Sequence, residues 1–148
     1  MKKTVFMFIA CMAMMASCNN GKTTTAAEAG DTAATDSVVY EGMVPAADCY
    51  GINYRLVMAQ DSTMGFSLTE SYMKSETEVD TTFSYQGTAV ADTKTVDGKE
   101  NNYLKLPTDE NVTTNFLVLN DSTLRMVNAD LEEPVKQEGM SYDLKLVK

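Results

Sequence analysis

The chain contains no histidine. That absence removes the commonest transition-metal ligand and the usual general base together. No serine or cysteine can then find an imidazole to activate it, and the sequence holds neither a Gly-rich phosphate loop nor a Gly-x-Ser-x-Gly elbow. The acidic pairs Asp109-Glu110 and Glu132-Glu133 fall in segments that read as loops, where carboxylates are solvated. No catalytic residue, cofactor or metal is assigned, and an enzyme is not expected. Basic residues are also scarce, 12 Lys and Arg against 21 Asp and Glu. Nucleic acid is therefore an unsuitable partner, and contact with an anionic membrane cannot rest on a basic patch. Cysteine is the third shortage: Cys11, Cys18 and Cys49 are too few for the disulfide framework of a small secreted domain.

What is present begins at the N-terminus. Lys2 and Lys3 form a positive n-region, and Thr4 to Met15 is a mostly apolar run, shorter than the ~20 residues of a spanning helix. Met15-Ala16-Ser17-Cys18 closes it. This is the pattern of a bacterial lipoprotein signal, in which small residues before a cysteine admit the signal peptidase. Residues 1–17 are expected to be removed, with Cys18 acylated on its sulfur and on its new amino group. Several acyl chains, each contributing about 0.8 kcal/mol per buried CH₂, anchor the protein to the membrane without spanning it. Loss of Lys2 and Lys3 takes the formal charge from −9 to −11, and Cys49 becomes a lone thiol. The expected location is the bacterial envelope, as an outer-membrane lipoprotein with its domain in the periplasm or at the cell surface. The remaining 131 residues suit one domain with one core.

Residues 18–35 read as a lipid-anchored tether. From Asn19 to Thr35 ten of seventeen residues are Thr or Ala, and none is aromatic or an aliphatic larger than Ala, so the segment cannot bury enough to order itself. Residues 36–148 form the domain. Ile52, Tyr54, Leu56 and Met58 alternate with Asn53, Arg55 and Val57, and Gln60-Asp61-Ser62 turns the chain toward Met64, Phe66 and Leu68. Phe83 and Tyr85 repeat the alternation, and Asp97-Gly98 is a two-residue hairpin signal. The pattern predicts about eight strands near 37–42, 51–59, 63–73, 80–91, 101–107, 114–119, 123–128 and 141–147. Short connections and the need to hide edges favour an all-β, antiparallel, up-and-down barrel of lipocalin-like form. Such a barrel is either filled by side chains or holds one small apolar ligand. Tyr54, Phe66, Phe83 and Tyr85 are the candidates for a plug.

The segment Tyr40-Glu41-Gly42-Met43-Val44-Pro45-Ala46-Ala47-Asp48-Cys49-Tyr50-Gly51-Ile52 stands out. Gly42 is read as ending a strand, Pro45 cannot donate to a ladder, and Asp48 can close an Asx-turn before Gly51 begins the next strand. The segment resembles the Tyr-x-Gly-x-Leu-Pro-Cys-Ala-Asp-Cys-x-Gly-Ile signature of the NlpE N-terminal domain, a family of outer-membrane lipoproteins named for copper resistance and envelope-stress signalling. Glu70-Ser71-Tyr72, Phe83-Ser84-Tyr85-Gln86-Gly87 and Tyr142-Asp143-Leu144-Lys145 extend the resemblance over about residues 38 to 147. The resemblance implies Tyr40, Gly42, Pro45, Asp48, Cys49 and Gly51 as the loop motif. It also implies a non-catalytic role in envelope-stress or surface sensing, with copper tolerance and with signalling or lipoprotein-handling proteins as partners.

Ala46 stands where the family has its first loop cysteine, so Cys49 has no local partner for a disulfide or a two-thiol metal clamp. The reading is of a single-domain member, without the second domain through which longer members contact a histidine kinase. Met43, Met58, Met64, Met73, Met126 and Met140 are scattered without Met-x-x-Met spacing and are expected to fill the core. Among the carboxylates, Asp48 and Glu70 fall near a barrel rim. Asp31-Thr32-Ala33 and Asp36-Ser37-Val38 resemble an O-glycosylation signal of bacterial envelope proteins, which makes Thr32 and Ser37 candidate acceptors. The second class of function is a lipocalin-like carrier of a small apolar ligand.

Overall fold

A computed structural model describes residues 36–147. The expected Cys18 anchor, the tether and Thr32 lie outside the described residues. Nine strands follow one another: β1 Ser37–Val44, β2 Gly51–Ala59, β3 Gly65–Met73, β4 Val79–Thr88, β5 Val90–Val96, β6 Lys99–Asp109, β7 Val112–Asn120, β8 Thr123–Val127 and β9 Asp143–Leu146. All pairings are antiparallel, in the order β4-β3-β2-β1-β9-β8-β7-β6-β5. No helix occurs among the described residues.

The edge strands of this sheet, β4 and β5, are separated by Ala89 alone. A chain cannot cross from one edge of a flat nine-stranded sheet to the other in one residue, because neighbouring strands lie ~4.8 Å apart. The sheet must therefore curl until its edges meet. Ala89 is buried at that junction and its N–H donates to the Met64 carbonyl at 2.8 Å. The strand expected at 80–91 runs on to Val96, beyond its expected end, as one long strand bent at Ala89, its first half pairing with β3 and its second with β6. Counted this way the fold is the expected eight-stranded barrel, left open along the seam where β4 passes β6. Pro107 of β6, which has no N–H, stands near that seam, its carbonyl 3.8 Å from where a Cβ on Gly87 would lie, and the β6–β7 ladder shifts register between Pro107 and Asp109.

The interior follows from the register. Tyr40, Leu56, Leu68 and Tyr85 form one cross-strand row, and Val38, Met58, Phe66 and Gly87 form the next. A Cβ on Gly87 would come within 3.1 Å of the Phe66 ring, so the glycine makes room for the phenylalanine. On the opposite wall Leu104 pairs with Phe116 and Leu124 with Leu144. Leu56, Leu68, Leu106, Phe116 and Leu144 are fully buried. Met58 and Met73 are buried and Met64 and Met126 pack against the core, whereas Met43 and Met140 are exposed.

A second apolar cluster sits on the outer wall. Tyr103, Leu117 and Val127 are covered there by Leu131, from the connection between β8 and β9. Leu131 has a φ of 63°, unusual for a bulky side chain. Asn128 holds it: its Oδ1 accepts from the Asp130 and Glu132 amides at 2.9 Å each, and its carbonyl accepts from Leu131 N at 3.0 Å. Arg125 then ties the connection down, donating to Asp143 through Nε and Nη2 at 2.7 and 3.1 Å and to Glu133 through Nη1 at 2.7 Å. The guanidinium keeps the Asp143 carboxyl below its usual range, chiefly through these hydrogen bonds.

Two sequence expectations are corrected. Gly42 does not end β1 but lies inside it, opposite Tyr54, and a Cβ there would collide with the Asp143 carbonyl and lie 3.0 Å from Leu144 Cα. Glycine at this position is what lets β9 approach β1. Phe83 is not buried either: it is 47% exposed, because β4 is an edge strand whose near end is covered from one side only. Phe66, 6% exposed, keeps the expected place. Phe66→Ala is therefore expected to cost about 3 to 5 kcal/mol and Phe83→Ala about 1 kcal/mol or less, measured by urea denaturation. Equal costs at the two positions would contradict the open edge.

Candidate functional site

Alternation of the strand directions puts the β1–β2 loop and the β3–β4 turn at one end of the barrel, called here the mouth. The loop spans Pro45 to Tyr50. Its hydrogen bonds are not those of the expected Asx-turn. Tyr50 N donates to the Met73 carbonyl at 3.0 Å, fastening the loop to the end of β3, and the Cys49 thiol donates to the Gly51 carbonyl at 3.3 Å. Cys49 is a free, half-buried thiol. Asp48 is exposed and Pro45 half-buried.

The other motif residues work at a distance from this loop. The Tyr40 hydroxyl donates to the Asp121 carbonyl at 3.0 Å, on the β7–β8 turn at the far end of the barrel, while its ring packs on the core. Gly42 admits β9, as above. Ser37 is half-buried at the start of β1. The motif is thus chiefly a device that fixes β1, its loop and its two neighbouring strands. Among the described residues no three Cys, Asp or Glu side chains are grouped to hold a metal ion.

Inside the mouth the register gathers a different set. Tyr54 of β2 is the direct partner of Glu70 of β3, and Glu70 is the partner of Phe83 of β4. Tyr72 lies two residues on along the same face, and Tyr85 pairs with the adjacent Leu68. Direct partners have Cβ atoms about 4.5–5.5 Å apart and diagonal ones are still within reach of long side chains. The Tyr72 and Phe83 rings meet edge to face, with centroids 5.6 Å apart and planes at 83°.

Glu70 is 7% exposed. Burial pushes its carboxyl above the ordinary value, since an apolar surrounding disfavours the charged form. The phenols respond in the same sense. Tyr54 is raised strongly by its own burial and then by the charge of Glu70, and Tyr72 and Tyr85 are raised by burial first and Glu70 second. All three phenols therefore stay protonated, and Glu70 sits among neutral rings.

The sequence placed Glu70 near a rim but did not bring the three tyrosines to it. A signal was available. A hairpin turning between Gln60 and Met64 pairs residues symmetrically about its centre, which sets Tyr54 against Glu70 once the turn is placed.

The raised carboxyl makes a pH-dependent prediction. Below the ordinary carboxylate range Glu70 is protonated in both folded and unfolded chains and costs nothing. As pH rises, the unfolded chain releases the proton first, so stability is lost between the unfolded and the raised folded pKa. Glu70→Gln, which cannot ionise, should therefore be more stable than wild type at pH 7, with the difference shrinking toward about pH 4. Denaturant midpoints of the two proteins at both pH values provide the measurement, and a gap independent of pH would refute it.

Comparison of the chain with family models finds the NlpE N-terminal domain over residues 40–136. That span runs from within β1 to the β8–β9 connection and takes in the loop, Glu70 and its aromatic neighbours. Comparison with curated proteins and with solved structures finds no match.

Proposed function

The chain belongs to the NlpE N-terminal domain family, and from that premise we propose a lipid-anchored, non-catalytic envelope protein that acts in envelope-stress or surface sensing through protein contacts, with a bearing on copper tolerance. The observation that carries this reading is the filled interior. Leu56, Leu68, Leu106, Phe116 and Leu144 are fully buried, and Tyr54 and Phe66 nearly so. A core closed by its own side chains favours recognition at the surface over cargo in the lumen, which counts against the lipocalin-like carrier.

Anchoring rests on the signal pattern ending at Cys18. Cys18→Ala is expected to release the protein from the membrane fraction while its thermal melt is unchanged, because the tether separates the anchor from β1. Membrane association of this variant persisting at high salt would overturn the lipoprotein reading.

Copper enters this reading through the stress response and not through a loop site. Cys49 has Ala46 in place of a second thiol, and thioethers, carboxylates and carbonyls are its available companions in a chain without histidine. Competition of the purified protein against a Cu(I) chelator is expected to show weak binding that Cys49→Ser leaves unchanged. Tight stoichiometric binding lost in that variant would show that the loop is a copper site after all.

A further inference from the structure

The mouth holds a carboxylate without a counterion. Among the described residues Glu70 takes part in no ion pair, and the cations on the neighbouring segments are engaged elsewhere: Lys74 with Glu78 at 3.1 Å and Arg55 with Glu41 at 3.1 Å. Desolvation is the one cause that shifts the Glu70 carboxyl. A buried, unpaired acid costs stability whenever it is ionised, and the barrel carries that cost at this position.

Exposure is graded among the neighbours of Glu70. Leu68 at the floor is fully buried, Tyr54 and Glu70 are 7% exposed, Tyr72 and Tyr85 are half-buried, and Phe83 at the rim is 47% exposed. On this face exposure increases from β2 and β3 toward the edge strand β4, since Tyr85 is the partner of Leu68 and Phe83 the partner of Glu70. The open edge of β4 leaves Phe83 without a paired strand beyond it.

We propose that this mouth binds a small organic cation of the alkylammonium class, with Glu70 as the counterion and Tyr72, Phe83 and Tyr85 as aromatic walls. Other cations suit it poorly. One carboxylate cannot supply the six or more oxygens that calcium takes, and a soft metal would find a single thiol nearby, Cys49, and no imidazole. An alkylammonium ion spreads its charge over a methyl or methylene surface, which is what ring faces and one opposite charge attract. The ligand is a further property of the domain, and it stands or falls separately from lipid anchoring and stress sensing.

Binding supplies the missing counterion, so Glu70 gives up its proton as the cation enters and affinity increases with pH through the Glu70 titration. The other titratable groups facing it are Tyr54 from β2, Tyr72 from β3 and Tyr85 from β4, all neutral over that range. Asp109 at the end of β6 acts on Tyr85 and Cys49 in the loop acts on Tyr72.

The test uses the purified full chain in an uncharged detergent, titrated with tetramethylammonium chloride and, in parallel, with sodium chloride at equal concentration. Ring-proton NMR of the tyrosines is the readout. The expected result is a saturable shift specific to tetramethylammonium, weakened about tenfold or more by Glu70→Gln and several-fold by the exposed Phe83→Leu, which keeps bulk but removes the ring. A response no different from sodium chloride, or one that Glu70→Gln leaves intact, would overturn the proposal.

Discussion

Most of this structure follows from one connection. Ala89 alone joins the two strands that lie at opposite edges of a nine-stranded sheet, and so the sheet has to close on itself. Closure turns one face of every strand inward, which is why even-numbered residues of β2, β3 and β6 make the core. The buried Ala89 methyl and the hydrogen bond from the Ala89 N–H to the Met64 carbonyl fix where the bend occurs. Ala89 is buried within the main core cluster, so a larger side chain there would have to displace packed neighbours.

Closure is incomplete, and the incompleteness shapes the mouth. Where β4 runs past β6 without a ladder, Phe83 loses the cover that an interior position would otherwise give it. The barrel is therefore two environments in series. Its middle is a dry stack of Leu, Phe and Tyr, worth roughly 1.5–3 kcal/mol for each large side chain buried. Its mouth holds Glu70 among phenols, an arrangement that subtracts stability at neutral pH. The fold tolerates that subtraction because the apolar layers beneath are larger than it.

The outer wall is stabilised separately. The β8–β9 connection is long and has no regular structure, yet it is pinned at Asn128, at Leu131 and through Arg125. Arg125 and Asp143 are cross-strand partners, so the same bidentate pair that holds β9 to β8 also presents the guanidinium to Glu133. This matters because β9 is four residues long and would otherwise hold β1 and β8 together weakly. Gly42 completes the arrangement by allowing β9 to come close to β1.

The sequence by itself determined the strands and most of their turns. Period-two alternation marks which side chains share a face, and Asp97-Gly98 marks its turn because both residues adopt positive φ, 51° and 77°, as a type I′ hairpin requires. It also determined the family, since the loop motif is local and needs no partner to be read. Alternation cannot say whether a second strand will cover a face, which is why Phe83 looked like core and proved to be rim. Nor can it show that Gly42 faces another backbone, that Leu131 reaches an outer cluster 28 residues from Tyr103 in sequence, or that Tyr54, Tyr72 and Tyr85 meet around Glu70. Those facts depend on strand register and on sheet closure, and both are set by contacts between residues far apart in the chain.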